Sequence, residues 1–197
     1  MTTAVNGREA AHPVDPIFLK RWSPRAFTGE KMPEADLMTM LEAARWAPSS
    51  YNSQPWRFIY AHRGTPAWDK LFPTLVEFNQ GWVKTASVLM FVVSKETMPM
   101  GDKEVPSHTH SFDAGAAWAS LALQASIMGY QAHGMSGVDF AKAKDALKVP
   151  AGFRVEAAIA IGRQGDKSQL PEAMQAREAP SSRNPLAQHV FEGEFKG

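Results

Sequence analysis

The chain has no cysteine among its 197 residues. That absence removes disulfides, thiolate metal sites, iron–sulfur clusters and cysteine nucleophiles together, and it agrees with a cytoplasmic setting. Charge of one sign is missing too: 21 Lys and Arg stand against 20 Asp and Glu, for a net charge of +1. No broad field therefore draws the chain to nucleic acid or an anionic membrane, and neither is expected as a partner. A bound anion must be held by a few local charges. The longest apolar run, Ala86-Ser87-Val88-Leu89-Met90-Phe91-Val92-Val93, is far too short to span a bilayer. Met1 to Pro13 carries no apolar stretch of the signal-peptide kind. No Gly-x-Ser-x-Gly elbow points to a hydrolase, and no Gly-x-Gly-x-x-Gly follows a strand pattern to make a dinucleotide fold. His108-Thr109-His110 has no third ligand at a convincing spacing, so no metal is expected.

What is present reads as one domain of mixed α and β structure, with 44% hydrophobic residues. Residues 1–14 read as a flexible tail and 15–197 as the domain. Helical patterns are expected over Asp15–Trp22, from Pro33 to about Ala47, over Pro66–Phe78 with a break near Pro73, over Phe112–Gly129 with Ser111 as cap, and over Asp139–Lys148. Strands are expected over Trp56–Tyr60, Val88–Ser94, Gln131–Met135 and Val155–Ile161. The second and fourth are apolar on both faces, as central strands are. Met98–Thr109 reads as a loop or flap. The strands are too scattered for a βαβ repeat, which favours a three-layer α+β arrangement.

Four polar clusters stand out. In Lys20-Arg21-Trp22-Ser23-Pro24-Arg25-Ala26-Phe27, two arginines four apart around a serine and a proline either converge on a phosphate or carboxylate or form a solvated basic helix end. Ala47-Pro48-Ser49-Ser50-Tyr51-Asn52-Ser53-Gln54-Pro55-Trp56 packs six hydrogen-bonding side chains between two prolines. It is either a loop that grips something polar or a well-capped connection. Phe78-Asn79 precedes a buried strand, where Asn is either a turn residue or a ligand contact. His133-Gly134-Met135-Ser136-Gly137 is either a turn or a place where backbone N–H groups approach a ligand.

In order and spacing these clusters resemble the FMN-dependent nitroreductase family. Arg21 to Phe27 is similar to its Arg-x-Ser-x-Arg/Lys-x-Phe signature. Pro48 to Trp56 is similar to its Pro-Ser-Ser-x-Asn-x-Gln-Pro-Trp loop, and Phe78-Asn79 with Ala86-Ser87 to a third element. The resemblance spans Phe18 to Phe195.

It implies a nitroreductase-like α+β fold: three layers, α/β/α, around a central mixed, mainly antiparallel sheet, in an intertwined homodimer whose C-terminal arm contacts the partner. It implies FMN as cofactor and NADH or NADPH as electron donor. The activity implied is ping-pong hydride transfer through flavin N5 to a nitroaromatic, quinone or similar small aromatic acceptor. Arg21, Ser23 and Arg183 would hold the FMN phosphate, with Trp22 beside them. Arg25 would lie near N1 and the C2 carbonyl, Asn79 at the pyrimidine edge, and Met135, Ser136 and Gly137 near N5 and O4. Pro48, Ser49, Ser50 and Asn52 would reach the flavin of the neighbouring subunit, and Gln54 in the same loop would also bind the cofactor. No side chain need act as a nucleophile or general base, because the flavin carries the chemistry.

Three positions depart from the pattern. Trp82 stands where some relatives have lysine near the flavin and nicotinamide, Trp22 replaces His or Arg, and Ser181 replaces a second basic residue at the phosphate. Alternative readings of the same fold are a flavin-binding, storage or flavin-processing module and a reductive dehalogenase relative.

Overall fold

The computed structural model describes residues 4–196. Of the tail expected at 1–14, residues 1–3 lie outside them. The rest of that stretch opens with a hairpin of β1 (Ala4–Val5) and β2 (Arg8–Glu9), turned by Asn6 and Gly7, both at positive φ. Asn-Gly makes such a turn because both residues accept the left-handed region. The elements that follow are α1 (Ile17–Lys20), α2 (Glu34–Arg45), β3 (Trp56–His62), α3 (Pro66–Leu71), α4 (Glu77–Val83), β4 (Val88–Lys95), β5 (Thr97–Met100), β6 (Lys103–Pro106), α5 (His110–Ile127), β7 (Gln131–Met135), α6 (Phe140–Leu147), β8 (Phe153–Gly162) and α7 (Glu172–Gln175).

The central sheet has the order β3-β4-β8-β7, and each of these pairings is antiparallel. Along β4, Val88, Met90 and Val92 point into one core with α2 and α5, whereas Leu89, Phe91 and Val93 point into a second core with α3, α4 and α6. This two-sided burial is why β4 reads as an unbroken apolar run. Each fully buried Leu, Met or Phe there contributes about 1.5–3 kcal/mol. The result is the expected α/β/α layering of an α+β fold.

Several boundaries moved for local reasons. Phe78 and Asn79 lie inside α4, not in a turn: a 3₁₀ turn over Phe72–Thr74 absorbs Pro73, and the chain becomes helical again with Glu77 in the favourable first turn. Helix α5 starts at His110, because Ser111 turns its hydroxyl to Glu156 (2.9 Å) and does not cap the helix. Most of the flap expected at Met98–Thr109 is the β5–β6 hairpin.

One long-range seam positions the site. Thr28 N–H donates to the Arg163 carbonyl (3.0 Å) and Gly165 N–H to the Ala26 carbonyl (2.8 Å), fixing residues 26–28 beside the end of β8. A Cβ on Gly165 would stand 2.7 Å from the Phe27 carbonyl carbon, so only glycine allows the approach.

Candidate functional site

Between α1 and that seam, burial alternates residue by residue: Trp22, Pro24 and Ala26 are buried, while Arg21, Ser23 and Arg25 are half-buried. An extended chain turns successive side chains to opposite sides, so these three share the open side. They bound a cavity of about 340 Å³ together with Arg8, His133 and Arg183. The basic cluster thus converges on a pocket and is not a solvated helix end. Trp22 also borders it, but its indole N–H is turned to Gln164 Oε1 (3.3 Å).

The charges in this cavity are poorly compensated. Arg21 Nη1 donates to Ser23 Oγ (3.3 Å), and Arg183 Nη1 to Ser181 Oγ and the carbonyls of Ser181 and Ser182. Among the described residues, neither guanidinium has a carboxylate partner. Burial, and then the neighbouring guanidiniums of Arg183 and Arg8, hold the Arg21 pKa below its ordinary value. Clustered guanidiniums without counter-charge are a ready anion site.

Arg25 differs. The buried Glu178 accepts from the backbone N–H groups of Arg25 (2.6 Å) and Ala26 (2.9 Å) through Oε1, and its Oε2 lies 3.8 Å from Arg25 Nη1. His133, on β7, sets Nδ1 2.9 Å from the Pro24 carbonyl, which can only accept, so this nitrogen carries the proton. Its ring packs on Trp82 at 4.6 Å, and burial, opposed in part by the Pro24 bond, lowers its pKa.

A second cavity of about 540 Å³ shares Arg21 and Ser23 with the first and is otherwise lined by groups such as Phe18, Trp118, Met135 and Ser136. Gly134 in β7 lets the Trp118 indole approach; a Cβ there would be 3.1 Å from the ring. The two cavities make one slot, cationic at one end and largely apolar at the other.

Asn79 and Gly137 meet each other. Asn79 Nδ2 donates to the Gly137 carbonyl (3.0 Å), and Asn79 Oδ1 accepts from Trp82 Nε1 (3.2 Å), so this amide braces α4 against the end of β7.

The Pro48–Trp56 loop stands apart: Pro48, Ser49, Ser50, Asn52 and Gln54 line neither cavity. Its shape is nonetheless set firmly. Ser50 N–H donates to the buried Asp113 (3.1 Å), and Gln54 N–H to Ser49 Oγ (3.0 Å). Tyr51, Asn52 and Gln54 all have φ near +50°. Left-handed backbone in non-glycine residues is strain that a surrounding structure must maintain, and it gathers at ligand clamps. Tyr51 is 80% exposed at its tip.

Sequence reasoning did not assign Arg8, His133, Trp118 or Glu178 to a site. Arg8 and Glu178 sit in polar stretches without periodicity, and no local signal could have found them. His133 lies in one of the four polar clusters, and Trp118 in the helix expected over Phe112–Gly129.

The family model described as "Nitroreductase family" matches residues 19–73 and 61–163. A solved structure described as an oxidoreductase containing FMN superposes with a TM-score of 0.96 at 52% identity, covering 99% of each chain. An uncharacterised 15.4 kDa protein of Mycolicibacterium smegmatis is 34% identical over 147 residues, 71% of this chain and 97% of its own length. The major NAD(P)H-flavin oxidoreductase of Aliivibrio fischeri is 29% identical over 97 residues, 48% of this chain and 44% of its own. Neighbours with lower identity share the fold, such as a Clostridium difficile nitroreductase family protein at 20% identity and a TM-score of 0.68, covering 91% of this chain and 97% of that one. With most of its length matched by the family model, and with the family's polar motifs gathered around one slot and one strained loop, this chain belongs to the nitroreductase family.

Proposed function

We propose that the chain is an FMN-dependent NAD(P)H oxidoreductase of the nitroreductase type, acting as a cytoplasmic homodimer. The observation that carries this reading is the joined slot: uncompensated arginines at one end, and an apolar floor of β7 and Trp118 at the other. A ring system bearing a phosphomonoester has that polarity. The FMN content of the 52% identical neighbour points the same way.

Within the slot, Arg21, Ser23 and Arg183 would hold the phosphate by charge-assisted bonds. Arg25 would present a fixed cation to the N1 and C2 carbonyl side, where negative charge gathers on reduction. Ser136 and Gly137 offer backbone at the N5 edge, beside Met135. Asn79 acts at the pyrimidine edge through the strand end that it braces. When bound, FMN would supply the redox chemistry that couples oxidation of NADH or NADPH to reduction of a nitroaromatic, quinone or similar acceptor.

The Pro48–Gln54 loop serves the neighbouring subunit. Support for this comes from a preset loop outside its own slot, and from Phe112 and Ile127 on α5, 80% and 62% exposed. Burying such residues in a dimer core offsets their hydration cost.

The test is the absorption spectrum of the purified protein. It should be yellow, and NADH or NADPH should bleach it within the turnover time of a nitroaromatic or quinone. A protein that no nicotinamide reduces would be a binding module, and one that cannot be reconstituted with FMN would sink the reading altogether. Arg21→Ala should lose FMN retention; normal flavin content in that variant would overturn the placement of the phosphate.

A further inference from the structure

We infer that Arg8, on the N-terminal hairpin, is a ligand of the FMN phosphate and supplies a third cation beside Arg21 and Arg183. The inference rests on the proposed FMN site and adds to it a residue outside the segments matched by the family model.

Three features place Arg8 there. Its side chain lines the same cavity as Arg21, Ser23 and Arg183. It is anchored at that spot by backbone: Nε donates to the Ser181 carbonyl (2.9 Å), and Nη1 to the carbonyls of Leu19 (2.9 Å) and Arg21 (2.9 Å). These acceptors belong to the two chain segments that carry Arg21 and Arg183, so one guanidinium ties both halves of the anion pocket together. Its Nη2 makes no hydrogen bond among the described residues, which leaves two N–H groups for an anion.

Charge argues in the same direction. The bonds of Arg8 go to carbonyls, and among the described residues it has no carboxylate within ion-pair distance. Burial and the neighbouring Arg183 both hold its pKa below the ordinary arginine value. Bringing Arg8, Arg21 and Arg183 together costs free energy without an anion. A phosphomonoester carrying about two negative charges at neutral pH reverses the sign of that interaction.

The experiment compares FMN with riboflavin, which has the same ring and ribityl chain but no phosphate, by fluorescence titration of the flavin-stripped full-length protein. Arg8→Ala should raise the Kd for FMN about 10- to 100-fold, the range of one charge-assisted bond, and change the riboflavin Kd less than about twofold. Arg8→Lys should recover part of the FMN loss, because it keeps the charge without the fork. The FMN Kd of Arg8→Ala should also depend less steeply on ionic strength than that of the wild type. Equal losses for both flavins would show that Arg8 only holds the hairpin, and would overturn the inference. So would an unchanged FMN Kd. A wild type that binds no FMN would remove the proposed function along with it, whereas a wild type that binds with Arg8→Ala unchanged would remove this inference alone.

Discussion

Glu178 Oε1 lies 2.6 Å from the backbone nitrogen of Arg25, across 153 positions of sequence. One buried carboxylate thus fixes the backbone from which the Arg25 guanidinium projects, and its second oxygen stays near that guanidinium. The C-terminal arm is therefore part of the site's framework, because it holds the segment carrying Arg21, Ser23 and Arg25 in register.

Replacing Glu178 should separate these roles. Glu178→Ala leaves two backbone N–H groups without an acceptor and should cost about 2–4 kcal/mol of stability. Glu178→Gln retains an acceptor oxygen and should cost less than half as much. Urea denaturation checks this, and equal midpoints for the two variants would show that the backbone bonds do not matter.

His133 predicts a pH dependence. Its folded-state pKa lies below the ordinary histidine value, chiefly through burial, so the unfolded chain takes up the proton more readily. By linkage, stability is complete above the unfolded pKa of about 6.5 and falls as pH drops through that value towards the folded one. Facing His133 are Arg25 and Arg21, which lower its pKa further, and Glu178, which raises it. Denaturation at pH 7.5 and 5.5 should show a loss at the acid end that is smaller in His133→Gln, whose amide can still donate to Pro24. A loss of the same size in both proteins would assign the effect elsewhere.

Gly137→Ala would place a Cβ 2.3 Å from Asn79 Nδ2 and 3.0 Å from Val76 Cγ2. The Asn79 brace must then move, breaking its bonds to Gly137 and Trp82. The expected cost is about 1–3 kcal/mol, with reduced flavin retention, read by thermal melting and by flavin content after gel filtration. An unaltered melting curve would mean that the strand end yields freely.

The loop's allegiance can be tested by mixing subunits. Arg21→Ala and Asn52→Ala each damage every site in their own dimers. If the loop serves its neighbour, a mixed dimer contains one intact site, and random exchange should restore roughly a quarter of wild-type flavin occupancy. No recovery on refolding the two together would place the loop at its own subunit's flavin.

Asn52→Gly separates backbone from side chain in that loop. Glycine accepts a φ of +53° without strain, so melting should shift little while flavin occupancy falls. Asn52→Val should instead lose about 1–2 kcal/mol, because a β-branched residue resists the left-handed region. Identical melting of the two variants would mean that the strain is not borne at this position.

Much of this molecule is set by short-range sequence. Val88–Val93 had to be a central strand, since only a sheet covered on both sides buries every residue of such a run. Pro33 and Asp139 mark helix starts through the first turn's geometry, and Asn6-Gly7 turns a hairpin within the stretch expected to be a flexible tail. Arg21, Ser23 and Arg25 are legible as a set through the signature they resemble, whereas the extended chain that puts them on one side replaces the helix end expected at Trp22. Tertiary structure decided what those residues face. Arg8, His133 and Arg183 reach the same pocket from three separate segments, and the Phe27–Gly165 seam beside it joins partners that lie far apart in sequence. Periodicity reports which way a side chain points relative to its own element. Which distant charge shares its cavity depends on how the elements pack, and packing is settled by the whole core at once.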